Sequence, residues 1–138
     1  MMDATDRFDS LIRYYAELSG RDPRQVKRQI RVESAFKADA TSPVGARGLM
    51  QFMPATWPDW GRPGTSASNP EESIAGGCRY MRMLQSRYHG DLARALAAYN
   101  WGVGHVDTLE GQADWLDHCP PENRAYVTTC LDFTEETL

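Results

Sequence analysis

The sequence predicts a mainly α-helical domain interrupted by one short irregular lobe, or a small hairpin, around residues 37–69. Three observations carry this. Apolar residues recur at helical spacing on both sides of that stretch. Asp22-Pro23 and Asn69-Pro70-Glu71-Glu72 are strong helix starts, with a capping side chain, proline in the first turn and, in the second, acids that suit the helix dipole. Between them, Pro43, Gly45, Gly48, Pro54, Pro58 and Gly61 leave room only for short elements.

Taken in order, Phe8, Leu11, Ile12, Tyr15 and Leu18 form the apolar stripe of a first helix over Asp6–Ser19, stopped by Gly20. In the second, Val26, Ile30 and Glu33 follow at i, i+4 and i+7, which puts a carboxyl on the aliphatic face near the helix end. The irregular stretch has room for one or two helical turns around Leu49–Phe52. Ile74, Cys78, Met81, Leu84 and Tyr88 mark the next helix, and Gly90-Asp91 breaks and recaps the chain. Leu92, Ala95, Leu96 and Tyr99 form a short, small-residue helix ending at Gly102. A last helix starts near Pro121 and buries Tyr126, Val127, Cys130 and Leu131.

The 138 residues fit a single domain, 1–138, without linker, repeat or low-complexity tail. Fifteen Lys and Arg against 19 Asp and Glu give a net charge of −4, which argues against nucleic acid as a partner. Arg13, Arg21, Arg24, Lys27, Arg28 and Arg31 cluster near the N-terminus and read as solvated helix faces. No apolar run is long enough to insert into a membrane. The N-terminus also lacks the basic start and apolar core of a secretory signal, so a protein made in the cytoplasm is expected. Cys78, Cys119 and Cys130 form no CxxC pair and read as buried free thiols, although one bridge between two of them stays open. His89, His105 and His118 are too scattered for a zinc site, and no cofactor motif occurs.

Glu33 is the residue with chemical promise. A carboxyl on an apolar face loses water from its charged form, its pKa rises, and it becomes a candidate general acid. The plain alternative is an exposed side chain at a helix end. Three further stretches bear on the choice: Ser42 ahead of Gly45-Ala46-Arg47-Gly48-Leu49-Met50-Gln51, then Ala98-Tyr99-Asn100, then Glu122-Asn123-Arg124-Ala125-Tyr126-Val127. Together with Glu33-Ser34, in this order and over about residues 10–130, they resemble the lytic transglycosylases of the soluble-lytic-transglycosylase type. That family is lysozyme-like and related to goose-type lysozyme.

The resemblance implies a helical lysozyme-like fold and cleavage of the β-1,4 bond between N-acetylmuramic acid and N-acetylglucosamine in peptidoglycan, leaving 1,6-anhydro ends. Glu33 matches the single catalytic acid, which then serves as base. Ser42 matches a sugar-orienting serine, or is a turn residue before Pro43. Gln51 matches a groove-lining glutamine. Tyr99 and Asn100 match residues of the groove floor, where the tyrosine hydroxyl can hold the catalytic carboxyl. Glu122 and Tyr126 match the last motif, although Tyr126 also begins its helix's apolar stripe. The implied partner is the peptidoglycan glycan strand, met by a monomer, in a phage lysis or virion protein or a part of a secretion machine.

Two alternatives stand beside this reading: a hydrolase that activates water, and a glycan-binding module without catalysis. The stretch from Ala40 to Pro58 contains no Asp or Glu, though Asp39 and Asp59 flank it, which favours the one-carboxylate reaction over hydrolysis. Four tryptophans, Trp57, Trp60, Trp101 and Trp115, offer faces for sugar stacking or for packing. The chain departs from the family pattern at Ala38 (often proline), Ser73 (commonly asparagine), Trp101 (usually small) and Asn123 (usually threonine). Trp101 shapes the groove or fills a gap, and the departures at Ser73 and Asn123 weaken the roles expected there.

Overall fold

The computed structural model describes residues 3–138. Its helices are α1 (Asp9–Leu18), α2 (Pro23–Ser34), α3 (Trp57–Trp60), α4 (Pro70–Arg87), α5 (Leu92–Trp101), α6 (Val103–Asp107) and α7 (Pro121–Leu131), with a 3₁₀ turn at Trp115–His118. The helix starts at Asp22 and Asn69 take the expected form. Each side chain accepts a hydrogen bond from the first turn, Asp22 from the Arg24 N–H and Asn69 from the Glu72 N–H.

Two apolar clusters organise these elements. One gathers Ile12 and Ala16 of α1, Val26 and Ile30 of α2, Leu49 and Met50 of the lobe, and Ile74 of α4. The other is built on α5, whose Ala95, Leu96, Ala97 and Ala98 are all fully buried between α4 and α7. Its small side chains let three helices approach closely. Tyr80 and Tyr99 pack against both clusters and join them.

The lobe is irregular and not a hairpin. Among the described residues it holds only two isolated antiparallel bridges, Thr41 with Arg47 and Arg47 with Phe52, followed by α3. Its prolines and glycines leave no run long enough to pair as strands. The first helix also begins later than expected, at Asp9, because residues 4–8 are held in turns. Neither α6 nor the 3₁₀ turn was anticipated; each is too short to show a period.

The N-terminal basic cluster needs the larger correction. Lys27 and Arg21 are buried, at 1% and 6% exposure. Lys27 bonds to Asp6 at 2.8 Å, to Asp9 at 2.9 Å and to the Thr137 carbonyl at 2.6 Å, tying α1 and the C-terminal tail to α2. Burial works against its charge, and the two carboxylates outweigh that, so its pKa is raised. Arg31 and Arg28 hold Glu136 from the same tail. All three cysteines are free and buried. No described helix is long and apolar enough to cross a membrane.

Candidate active site

Glu33 lies in the last turn of α2. The helix ends abruptly behind it, because Ala35 and Phe36 both take left-handed backbone angles, with φ of 51° and 64°. For L-residues this costs roughly 1–2 kcal/mol each. The surroundings offset it: the Phe36 ring is buried and its carbonyl accepts a 2.6 Å hydrogen bond from Arg7. The sharp stop turns the chain into the lobe directly after the carboxyl.

Glu33 is reachable by solvent, yet its carboxyl sits deep among protein atoms. That depth pushes its pKa from the ordinary 4.5 up to about 8. A hydrogen bond from Tyr126, 2.8 Å from Oε2, pulls weakly the other way. Burial is the cause, and no neighbouring carboxylate contributes. Glu33 is therefore protonated at neutral pH, the condition a general acid requires. Tyr126 is itself buried, and burial first, then Glu33, hold its pKa far above the usual phenol value. It remains a neutral donor.

The tyrosine that holds the carboxyl is thus Tyr126 and not Tyr99. The Tyr99 hydroxyl instead donates to the Met50 carbonyl at 2.7 Å. It braces the turn at Gly48–Gln51, because α5 presents that hydroxyl to the lobe while α7 delivers Tyr126 to the end of α2. Ser73, fully buried on α4, supports the same turn by accepting the Met50 N–H at 3.1 Å. Replacing Ser73 with Ala leaves that N–H without a partner. The expected loss is about 1–3 kcal/mol of stability, to be read by urea denaturation.

Gln51 also serves the lobe. Its amide nitrogen donates to the carbonyls of Gly48 (2.9 Å) and Ala40 (3.2 Å), and its oxygen accepts no hydrogen bond among the described residues. With Phe52, Tyr80, Tyr99, Asn100 and Trp101 it lines a groove of about 220 Å³. Tyr99 lines this groove from α5, and burial first, then Glu33, hold its pKa well above the usual phenol value. A larger cavity of about 450 Å³ lies by Arg87, Asp107 and Glu110. It lacks a buried acid, and its Asp107 is already engaged by Arg87 and Tyr88.

The other predicted residues are placed unevenly. The Ser42 oxygen accepts the Ala46 N–H at 3.0 Å and closes a turn. Asn100 is exposed at the groove, and its oxygen accepts from Asn123 at 2.8 Å. Asn123 also donates to the Ala97 carbonyl, so this departure from the family pattern ties α7 to α5. Glu122 is exposed in the first turn of α7, outside the network around Glu33. Trp101 borders the groove with its ring stacked on His105, centroids 4.4 Å apart. The other three tryptophans pack: Trp57 donates to the Thr65 carbonyl, Trp60 stacks on Tyr80, and Trp115 is buried.

The fold and the sequence have known counterparts. The profile of the Transglycosylase SLT domain matches residues 10–119. The chain belongs to this family. It is 37% identical over 125 residues to a membrane-bound lytic murein transglycosylase F from Marinobacter nauticus, covering 80% of this chain and 24% of that protein. A transglycosylase of Enterobacteria phage PRD1 is 42% identical over 94 residues, covering 68% of this chain and 32% of the phage protein. The lytic transglycosylase Slt of Pseudomonas aeruginosa, solved as an inactive mutant, superposes with a TM-score of 0.82. Its identity is 30%, over 93% of this chain and 23% of the larger one. The chain thus spans about a sixth to a third of the length of the curated relatives it matches.

Proposed function

We propose that this SLT domain cleaves the β-1,4 bond between N-acetylmuramic acid and N-acetylglucosamine in peptidoglycan by lytic transglycosylation, with Glu33 as both acid and base. The supporting observation is the deep Glu33 carboxyl, protonated at neutral pH and held by Tyr126, whereas the buried carboxylates Glu72 and Glu136 are ion-paired with arginines. Membership of the SLT family supplies the substrate class.

The protonated Glu33 gives its proton to the glycosidic oxygen, and the bond from that oxygen to the muramic C1 breaks. The N-acetylglucosamine side leaves with a free hydroxyl, and the muramic N-acetyl group stabilises the cationic C1. Glu33, now a carboxylate, takes the proton of the C6 hydroxyl while O6 bonds to C1. The 1,6-anhydro ring closes and Glu33 regains its starting form, with no water consumed. Tyr126 steadies the carboxylate between the two transfers, when a buried charge most needs a donor. Glycosidases that rely on two carboxylates place the second one across the scissile bond. The two acids flanking the acid-free stretch of the lobe, Asp39 and Asp59, are both exposed.

In this reading Gln51, Asn100 and Trp101 contact the sugar, while Ser42 and Tyr99 shape the lobe and Glu122 stands apart. The site of action is the cell wall, and the phage PRD1 relative favours a phage lysis or virion setting. The test is digestion of purified sacculi followed by mass analysis of the fragments. Anhydromuramic ends are expected; reducing ends alone would establish a hydrolase, and no fragments a binding module. Activity should also fall as pH rises through about 8, where the acid form of Glu33 is lost. A rate that stays flat across that range would remove Glu33 as the titrating acid.

A further inference from the structure

Arg21 is a guanidinium at 6% exposure, and among the described residues it pairs with no carboxylate. An unpaired buried cation is costly, and arginine cannot shed its proton to escape the cost. Its bonds go elsewhere. Nη2 donates to the amide oxygens of Gln25 and of Gln29, the latter at 3.0 Å. Gln29, fully buried, donates through Nε2 to the Tyr126 hydroxyl oxygen at 3.2 Å, and Tyr126 donates to Glu33.

The direction of this chain follows from what each group can do. A guanidinium has donors and no acceptor, so the Gln29 amide must turn its oxygen to Arg21. Its NH₂ then faces Tyr126, whose oxygen must accept. The single Tyr126 hydrogen is left to point at Glu33.

We propose that Arg21 and Gln29 are positioning residues that fix the Tyr126 hydroxyl as a donor to Glu33. Neither touches the proposed substrate. The functional weight of the relay rests on Glu33 being the acid, but its existence does not. Other groups around it are Tyr99 from α5, Cys130 from α7 and Cys78 from α4. All three are pushed up by burial, Cys130 to about 12, so they stay neutral and Arg21 is the charged member.

The test follows the carboxyl carbon of Glu33 by NMR across pH, the signal being assigned by its loss in Glu33→Gln. No substrate is needed, so a failed wall digestion and a failed relay are told apart. A donated hydrogen bond favours the carboxylate, so Tyr126→Phe should raise the midpoint by about one pH unit. Gln29→Glu keeps the shape and the Arg21 contact but presents an acceptor, which draws the Tyr126 hydrogen away from Glu33. Its midpoint should rise by at least as much, and most of that rise should vanish when Gln29→Glu is made in the Tyr126→Phe protein. A wild-type midpoint in Gln29→Glu overturns the proposal. So does an equal rise in both backgrounds, which would report charge acting through space. Should Gln29→Glu not fold, Arg21→Gln takes its place in the same cycle. Without a donor-only group the Gln29 amide can turn over, and the same pair of outcomes decides.

Discussion

Replacing Glu33 with Gln is expected to abolish wall-lytic activity and to stabilise the protein above pH 8. Gln keeps the shape and still accepts from Tyr126, but it can neither give nor take a proton. Loss of a positioned general acid costs about 10²–10⁴-fold, and a group used in both half-reactions belongs at the upper end. The stability gain follows from the raised pKa. Folded Glu33 holds its proton until about pH 8, whereas in the unfolded chain it ionises near 4.5. Its contribution is therefore fully present below about pH 4.5 and is lost as pH rises through about 8. Gln has no such dependence. The variant should match wild type at pH 4 and exceed it at pH 9 by on the order of 2–4 kcal/mol. Urea denaturation at the two pH values reads this directly. Equal stability at pH 9 would mean that Glu33 ionises without strain and is an ordinary solvated carboxylate.

The second large effect is expected at Gly48, where the substitution to Ala should unseat the lobe. Gly48 has φ of +83°, and an added Cβ would lie 1.8 Å from the Ala67 carbonyl oxygen. That oxygen belongs to backbone and cannot rotate aside. Left-handed strain and forced displacement together should cost about 3–5 kcal/mol. The same movement pulls Met50 off Tyr99 and Ser73 and shifts Gln51 in the groove, so activity should fall with stability. Gly64 is the control. Its φ is +78°, but a Cβ there meets nothing within 4 Å. Gly64→Ala should cost only about 1–2 kcal/mol of backbone strain. Equal midpoints for the two variants in urea would show that close packing against Ala67 does not hold the lobe.

Much of the fold was legible because its signals are local. Asp22-Pro23, Asn69-Pro70 and Pro121 each mark a helix start within a few residues, and the apolar period does the rest. Glu33 was legible for the same reason, as a carboxyl in step with Val26 and Ile30. The tyrosine assignment was not. Which of Tyr99 and Tyr126 meets Glu33 depends on how α7 crosses α2, a contact between residues 93 apart in sequence. Asn123 and Ser73 were hidden in another way. Each departs from the family pattern, and only the packing shows that it makes a bond.

The sequence also carries a polar row at helical spacing. Arg21, Gln25, Gln29 and Glu33 recur every fourth residue, a polar line leading into α2 and along a face that also buries Val26 and Ile30. Long cationic side chains such as Arg21 and Lys27 usually lie in solvent. A polar row repeated at the helical period inside an apolar face is costly unless its members bond to one another. Three of them do: Arg21 bonds to both Gln25 and Gln29, and Gln29 reaches Glu33 through Tyr126.

In the proposed reaction one carboxyl performs both proton transfers and no water enters. Digestion of purified peptidoglycan in water enriched in heavy oxygen tests it most directly, with the new glycan ends weighed by mass spectrometry. Anhydromuramic ends carrying no heavy oxygen are expected. Reducing ends labelled at C1 would contradict it and make the enzyme a hydrolase.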